Sequence, residues 1–177
     1  MERLKFYSIL LKGREEKIQG ILEQEGKEWM LLRCVFSDYI MDGWRVINKR
    51  YIYSIVREES EVFTEKVLKA SKKWRSTKKR QLPLSTDLLF DYLKNTCSIF
   101  AFSLNDEFIT FVGKIQKLLP KSFYITPISP RGKWLNECNI FKKERVRVID
   151  IDTDYINSLI AYNNKYEKKQ KTLSIKN

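Results

Sequence analysis

Apolar residues in this chain arrive in short runs, and each run is closed by a turn signal before it reaches the length of a core helix. Lys17–Leu22 reads as a strand, Gln24-Glu25-Gly26-Lys27 as a turn, and Glu28–Phe36 as a near-continuous apolar strand. Asp42-Gly43 is a second turn signal. Short strands at Trp44–Asn48 and Arg50–Ile55 follow it. After Glu58-Glu59-Ser60 the period changes to that of a helix: Phe63, Val67, Ala70 and Trp74 share one face, and Ser60 is placed to cap the N-terminus. This punctuation predicts an α+β, mainly β fold.

The same succession returns. Gln81-Leu82-Pro83 breaks the first helical pattern, and a second helix is expected from Ser85 or Thr86 to about Asn95, with Leu89, Tyr92 and Leu93 inward. Strands are expected at Phe108–Leu118, Ser122–Ile128, Asn139–Phe141 and Arg145–Ile151. A last helix begins at Thr153 or Asp154 with Tyr155, Leu159 and Tyr162 on one face, and the basic tail from Lys165 to Asn177 is expected to fray. Laying Trp29 on Phe123 and Leu31 on Ile125 also aligns Val46 with Ile140, Ile47 with Phe141, Ile52 with Val146 and Ile55 with Ile149. A one-residue slip brings Gly20 onto Gly113. The pattern divides the chain into residues 1–80 and 81–177, each a set of strands with a helix after it, joined by a basic linker.

Each half resembles an Sm-like small β-barrel. That family's first motif is a strand with a Gly, a long strand and an Asp-x-x-Met-Asn type turn. Gly20 followed by Asp38-Tyr39-Ile40-Met41-Asp42 is similar to it, as is Gly113 followed by Leu135-Asn136. The family's second motif, Ile-Arg-Gly-x-x-Ile-x-x-Ile, shares its apolar spacing with Ile47, Ile52 and Ile55 and with Phe141, Val146 and Ile149. The Arg-Gly pair is replaced by Asn48-Lys49 and by Lys142-Lys143, and the stretch between the motifs is shorter than is usual. The resemblance implies two tandem Sm-like barrels, and it supports that architecture more than the family's ring assembly or its uridine-reading pocket.

Composition narrows the chemistry. The 177 residues hold 34 Lys and Arg against 22 Asp and Glu, for a net charge of +12, and no His at all. Ser-His-Asp and Cys-His nucleophiles, HExxH zinc sites and His general bases are therefore excluded. The cysteines, Cys34, Cys97 and Cys138, are far apart and form no CxxC, so they read as small buried side chains of a reducing compartment. Asp150-Ile151-Asp152-Thr153-Asp154 lacks the Gly and the Glu of a calcium loop and reads as carboxylates opposing a helix dipole. No Walker loop or GxGxxG occurs. The expectation is a cytoplasmic binding protein that is not an enzyme, needs no cofactor or metal and spans no membrane.

Charge is concentrated. From Lys66 to Arg80 there are eight basic residues, Lys66, Lys69, Lys72, Lys73, Arg75, Lys78, Lys79 and Arg80, and no acidic one. Trp74 lies among them as a ring on which a base can stack. The alternative is a solvated helix face with Trp74 packed on the core. A second basic set, Arg45, Lys49 and Arg50, recurs in the other half as Lys142, Lys143 and Arg145. Tyr39, Trp44, Tyr51, Tyr53, Tyr124 and Trp134 are expected on outer strand faces, either as the packing between barrels or as a stacking surface. Together these residues point to RNA or single-stranded DNA as the partner; an acidic protein, bound by an immunity, antitoxin-like or adaptor module, is the competing reading.

Overall fold

Ten strands hydrogen-bond into a single antiparallel sheet in a computed structural model of the chain, which describes residues 1–74 and 80–173. The first half contributes Phe6–Leu11 (β1), Ile18–Glu25 (β2), Trp29–Val35 (β3), Met41–Asn48 (β4) and Ile52–Val56 (β5), then the helix Glu59–Ala70 (α1). The helix Thr86–Thr96 (α2) leads into Phe100–Ser103 (β6), Thr110–Leu118 (β7), Ser122–Pro127 (β8), Asn139–Lys142 (β9) and Val148–Ile151 (β10). The helix Asp154–Leu173 (α3) follows. The order across the sheet is β5-β1-β2-β3-β4-β10-β6-β7-β8-β9. The fold is thus α+β and mainly β.

Strand pairing in the second half repeats that of the first. In β1 to β3, Tyr7 pairs with Gly20 and Gly20 with Cys34. In β6 to β8, Phe100 pairs with Gly113 and Gly113 with Pro127, each 93 residues further on. The register break between Leu22 and Gln24 returns between Ile115 and Lys117. From β4 onward the spacing is 94: Ile47 matches Phe141, the 3-10 turn Lys49–Tyr51 matches Lys143–Arg145, and Ile55 matches Ile149. The sequence overlay of Trp29 on Phe123 is therefore one residue out; Met30 and Leu32 are the counterparts of Phe123 and Ile125. The cause is β3 itself. All seven of its residues are buried, so apolar matching carries no period-two signal to fix its register. Gly20 and Gly113 are needed where they stand, because a Cβ on Gly20 would lie 2.6 Å from the Arg33 carbonyl and one on Gly113 would meet that of Thr126.

The structure adds β1 and β6 to the strands anticipated, and β5 and β10 begin later than expected, after the two 3-10 turns. Asp42 and Gly43 do not form the turn. They lie inside β4, where Gly43 has φ +62° and a Cβ would fall 2.8 Å from the Ile151 carbonyl. The chain reverses earlier, at Ser37–Tyr39, with Asp38 and Tyr39 also at positive φ.

One core lies between Tyr7, Ile9, Leu11, Leu22, Met30, Leu32 and Ile47 in the first half. The largest core joins the halves: Trp29, Leu31, Trp44 and Val46 meet Leu89, Phe90 and Leu93 of α2, and Phe102, Phe123 and Ile149 beyond. Trp44 is thus interior, not an outer-face aromatic. Tyr39, Tyr51, Tyr124 and Trp134 are half-buried, and Tyr53 is exposed.

Two helix faces differ from expectation. In α1 the buried residues are Glu61, Glu65 and Leu68, while Phe63 is 58% exposed and Ala70 is exposed; the N-cap is Glu58. In α3, Ile156 and Leu159 are buried and Tyr155 and Tyr162 largely exposed, and the helix continues past Lys165 to Leu173. Of the cysteines, Cys34 is buried, Cys97 half-buried and Cys138 exposed.

Candidate nucleic-acid interface

Antiparallel pairing fixes where the turns of the two halves meet. β4 and β10 pair directly, so the 3-10 turn that ends β4 and the one that precedes β10 lie side by side. Lys49 N–H donates to the Glu28 carbonyl at 2.9 Å, and its counterpart Lys143 N–H donates to that of Lys121 at 3.0 Å. Each 3-10 turn is thereby held against the hairpin turn before its long strand. Asn48 links the halves: its Nδ2 donates to the Val146 carbonyl at 3.0 Å and its Oδ1 accepts from Arg50 N–H at 3.1 Å. Tyr51 Oη donates to the Glu144 carbonyl at 2.8 Å.

Between these turns and the N-terminus of α2 is a cleft of about 880 Å³. Six cations line it, Lys27, Lys49, Arg50, Lys121, Lys142 and Lys143, against three carboxylates, Glu28, Asp87 and Glu144. The cations divide into two kinds. Lys49 Nζ donates to Glu25 Oε1 at 2.6 Å and to the Gly26 carbonyl at 3.1 Å. That bond, outweighing partial burial, holds the Glu25 carboxyl below its usual range. Lys143 is buried, donates to Asp87 Oδ1 at 2.7 Å and lies 5.9 Å from the Phe90 ring. Both lysines hold the turns in shape. Lys27, Arg50, Lys121 and Lys142 are exposed. Among the described residues only Arg50 of these four is near an acid, with Glu144 at 3.9 Å and both side chains open to water, a contact worth little.

The structure thus brings together Lys49, Arg50, Lys142 and Lys143 from the two hairpin sets. Arg145 is exposed in the same 3-10 turn but outside the cleft lining. Arg45 is elsewhere: its Nε and Nη2 meet Asp150 at 2.6 and 3.1 Å, beside a separate groove of about 410 Å³. Burial works against that guanidinium's charge, but the Asp150 carboxylate outweighs it and keeps Arg45 firmly protonated. Lys27 and Lys121 were not singled out from the sequence. The signal for them is the repeat, which sets the turn before each long strand beside a 3-10 turn.

The described residues of the basic helix set do not join the cleft. Trp74 packs on Leu68, Phe6, Ile21 and Val35, at the far end of β3, about 20 Å from Glu28 at a strand rise of ~3.3 Å per residue. Lys69 Nζ donates to Glu65 at 2.6 Å and lies 4.7 Å from the Trp74 ring. Lys73 Nζ donates to the Tyr39 carbonyl at 3.2 Å, and Arg80 pairs with Asp152 at 2.6 Å. Lys66 and Lys72 are exposed. Arg75, Lys78 and Lys79 lie outside the described residues.

Among the described residues no group of three Cys, Asp or Glu is arranged to hold a metal ion, and no helix is long and apolar enough to cross a membrane. Comparison of the chain with protein-family models, with curated proteins and with solved structures finds no match.

Proposed function

We propose that this chain is a duplicated, Sm-like small-barrel protein that binds single-stranded nucleic acid, RNA or DNA, in the cleft between its halves. The observation that carries the reading is the convergence of cations from both halves on one cleft, four of them exposed. The repeated strand register supports the duplication, and a 3-10 turn between the fourth and fifth strand of each half supports the small-barrel likeness.

Binding of this kind acts on phosphates. Among the described residues no aromatic ring lines the cleft, so bases find no stacking platform on them and sequence preference is weak. Lys49 and Lys143, already paired, position the turns. Lys27, Arg50, Lys121 and Lys142 meet the backbone and release counterions. Four phosphates neutralised on a single strand give log K a slope of about −3 against log salt.

The test is fluorescence anisotropy of labelled RNA, single-stranded DNA and duplex DNA across a salt series. Three proteins are compared: wild type, a variant with Lys27, Arg50, Lys121 and Lys142 changed to Glu, and one with Lys66, Lys72 and Lys73 changed to Glu. Loss of binding in the cleft variant alone supports the reading. Loss in the helix variant alone moves the site to α1. An absence of binding at low salt, where nonspecific attraction is strongest, rejects a nucleic-acid ligand and leaves the cleft to an acidic protein.

A further inference from the structure

The groove beside Arg45 is built on one row of residues across the middle of the sheet. Arg45 stands opposite Asp150, Asp150 opposite Ala101 and Ala101 opposite Val112, and Ile128 N–H donates to the Val112 carbonyl at 3.0 Å. Directly paired residues share a face, so the floor is polar at one end and apolar at the other. Its volume of about 410 Å³ is within the range of small-molecule sites. Phe36 and Tyr155 also line it, 45% and 47% exposed. Phe36 lies beside the Arg45 guanidinium, 5.8 Å from it, so Tyr155 is the ring open to a ligand. Among the described residues this groove and the cleft share no lining member. At the polar end, Arg45 donates to Asp150 from Nε and Nη2, and among the described residues its Nη1 has no partner. Asp42 Oδ1 accepts from Asp154 N–H at 2.7 Å, and Asp42 Oδ2 has no partner among them.

These open groups select a ligand. The charge of Arg45 is already answered by Asp150, so an anion entering the groove meets Asp42 uncompensated, and a cation meets the guanidinium. A neutral planar group that accepts and donates along one edge satisfies both. Among the RNA bases only guanine sets one acceptor beside two donors, O6 beside N1–H and the N2 amine. We propose that this groove is a guanine-binding site, in which O6 accepts from Arg45 Nη1, N1–H and the N2 amine donate to Asp42, and the base stacks on Tyr155. Uracil turns a second acceptor onto the carboxylate. Adenine and cytosine turn a donor toward the guanidinium. Each mismatch leaves a desolvated polar group without a partner. The site is separate from the phosphate contacts of the cleft, and its base can belong to a free nucleotide or to a strand.

Nucleosides test this without a phosphate to engage the cleft. Titrations followed by saturation-transfer NMR should show guanosine bound about tenfold or more tightly than adenosine, uridine or cytidine. Inosine, which lacks the N2 amine, should fall between guanosine and adenosine. Asp42→Asn keeps an oxygen for Asp154 N–H but turns a donor toward the base, and should abolish the preference. Tyr155→Ala, at an exposed position, should weaken guanosine about fivefold or more. Both variants should keep the circular dichroism of the wild type. The variant with Lys27, Arg50, Lys121 and Lys142 changed to Glu should bind guanosine as the wild type does, which separates this site from the cleft. Oligouridine with one guanosine, compared with oligouridine alone, tells the two sources apart. Tighter binding that Asp42→Asn removes means a base within a strand; equal binding, with guanosine still bound, means a free nucleotide. Guanosine bound no better than adenosine, or a preference that survives both Asp42→Asn and Tyr155→Ala, overturns the proposal.

Discussion

Helices α1 and α2 are nearly equal in length, yet they are held to the sheet by different physics. α2 lays Leu89, Phe90 and Leu93 into the largest core, where Phe90 lies 4.8 Å from the Phe123 ring and 6.4 Å from that of Trp29. Its first turn is fixed by Trp29 Nε1 donating to Thr86 Oγ1 at 3.0 Å. α1 turns two glutamates inward. Glu61 accepts from Ser8 Oγ at 2.7 Å and from Glu58 N–H at 2.9 Å, closing a capping box. Glu65 accepts from Phe6 N–H at 3.2 Å, from Arg57 at 2.9 Å and from Lys69 at 2.6 Å. Burial of α2's side chains is favourable in any orientation that excludes water. Burial of α1's carboxylates breaks about even, but only in the one orientation that satisfies them. One helix is held by area and the other by direction.

The largest effect should come from α2. Phe90→Ala removes a fully buried ring and is expected to cost ~3–5 kcal/mol of unfolding free energy, read from urea midpoints. A cost under ~1 kcal/mol would mean that α2 is not docked by area. Glu65→Ala comes next, at ~2–3 kcal/mol, because it strips Arg57 and the Phe6 N–H of their buried partner. The two losses differ in their response to acid. Burial alone would raise the Glu61 and Glu65 carboxyls, but the hydrogen bonds they accept outweigh it and hold both below the usual range. A depressed carboxyl contributes stability that is complete above its unfolded value, near 4.3, and is lost as pH falls through the lower folded value. Wild type and Phe90→Ala should therefore lose stability in parallel on acidification, whereas Glu65→Ala should lose less. Equal acid slopes for all three would sink the carboxylate account of α1.

The same contrast explains what could be read from the sequence. Leu89, Tyr92 and Leu93 were legible because apolar spacing reports a face that is buried for its area. Phe63, Val67 and Ala70 have equally regular spacing, and there the face was wrong. Nothing in the pattern reveals that Ser8 and Phe6 N–H wait for Glu61 and Glu65, since these two partners lie more than fifty residues away in sequence. β3 failed for a related reason: a strand buried on both faces has no alternation, so its register emerges only from hydrogen bonds. For the cleft, Lys49, Arg50, Lys142 and Lys143 were found through their recurrence in both halves. Their division into paired and free cations depends on Glu25 and Asp87, which only the folded turns bring near. Trp74 packs on the core, but from beyond the end of α1 and not from a helix face, and its place at the far end of β3 separates it from the cleft.

The smallest effect is the sharpest test of the comparison. Phe63→Ser exchanges a large apolar residue for a small polar one in the middle of α1. Were Phe63 inward, as helical periodicity alone requires, the loss would resemble that of Phe90→Ala, several kcal/mol. With Phe63 58% exposed and the helix held by Glu61, Glu65 and Leu68, the expected change is about 0.5 kcal/mol or less. The far-ultraviolet spectrum and the acid slope should stay those of the wild type, because neither carboxylate is touched. A large loss would mean that α1 rotates about its axis to bury Phe63. Glu61 and Glu65 would then face water, and the Glu65→Ala variant would lose its acid signature as well. The two substitutions therefore check each other: one orientation of α1 cannot make both costly.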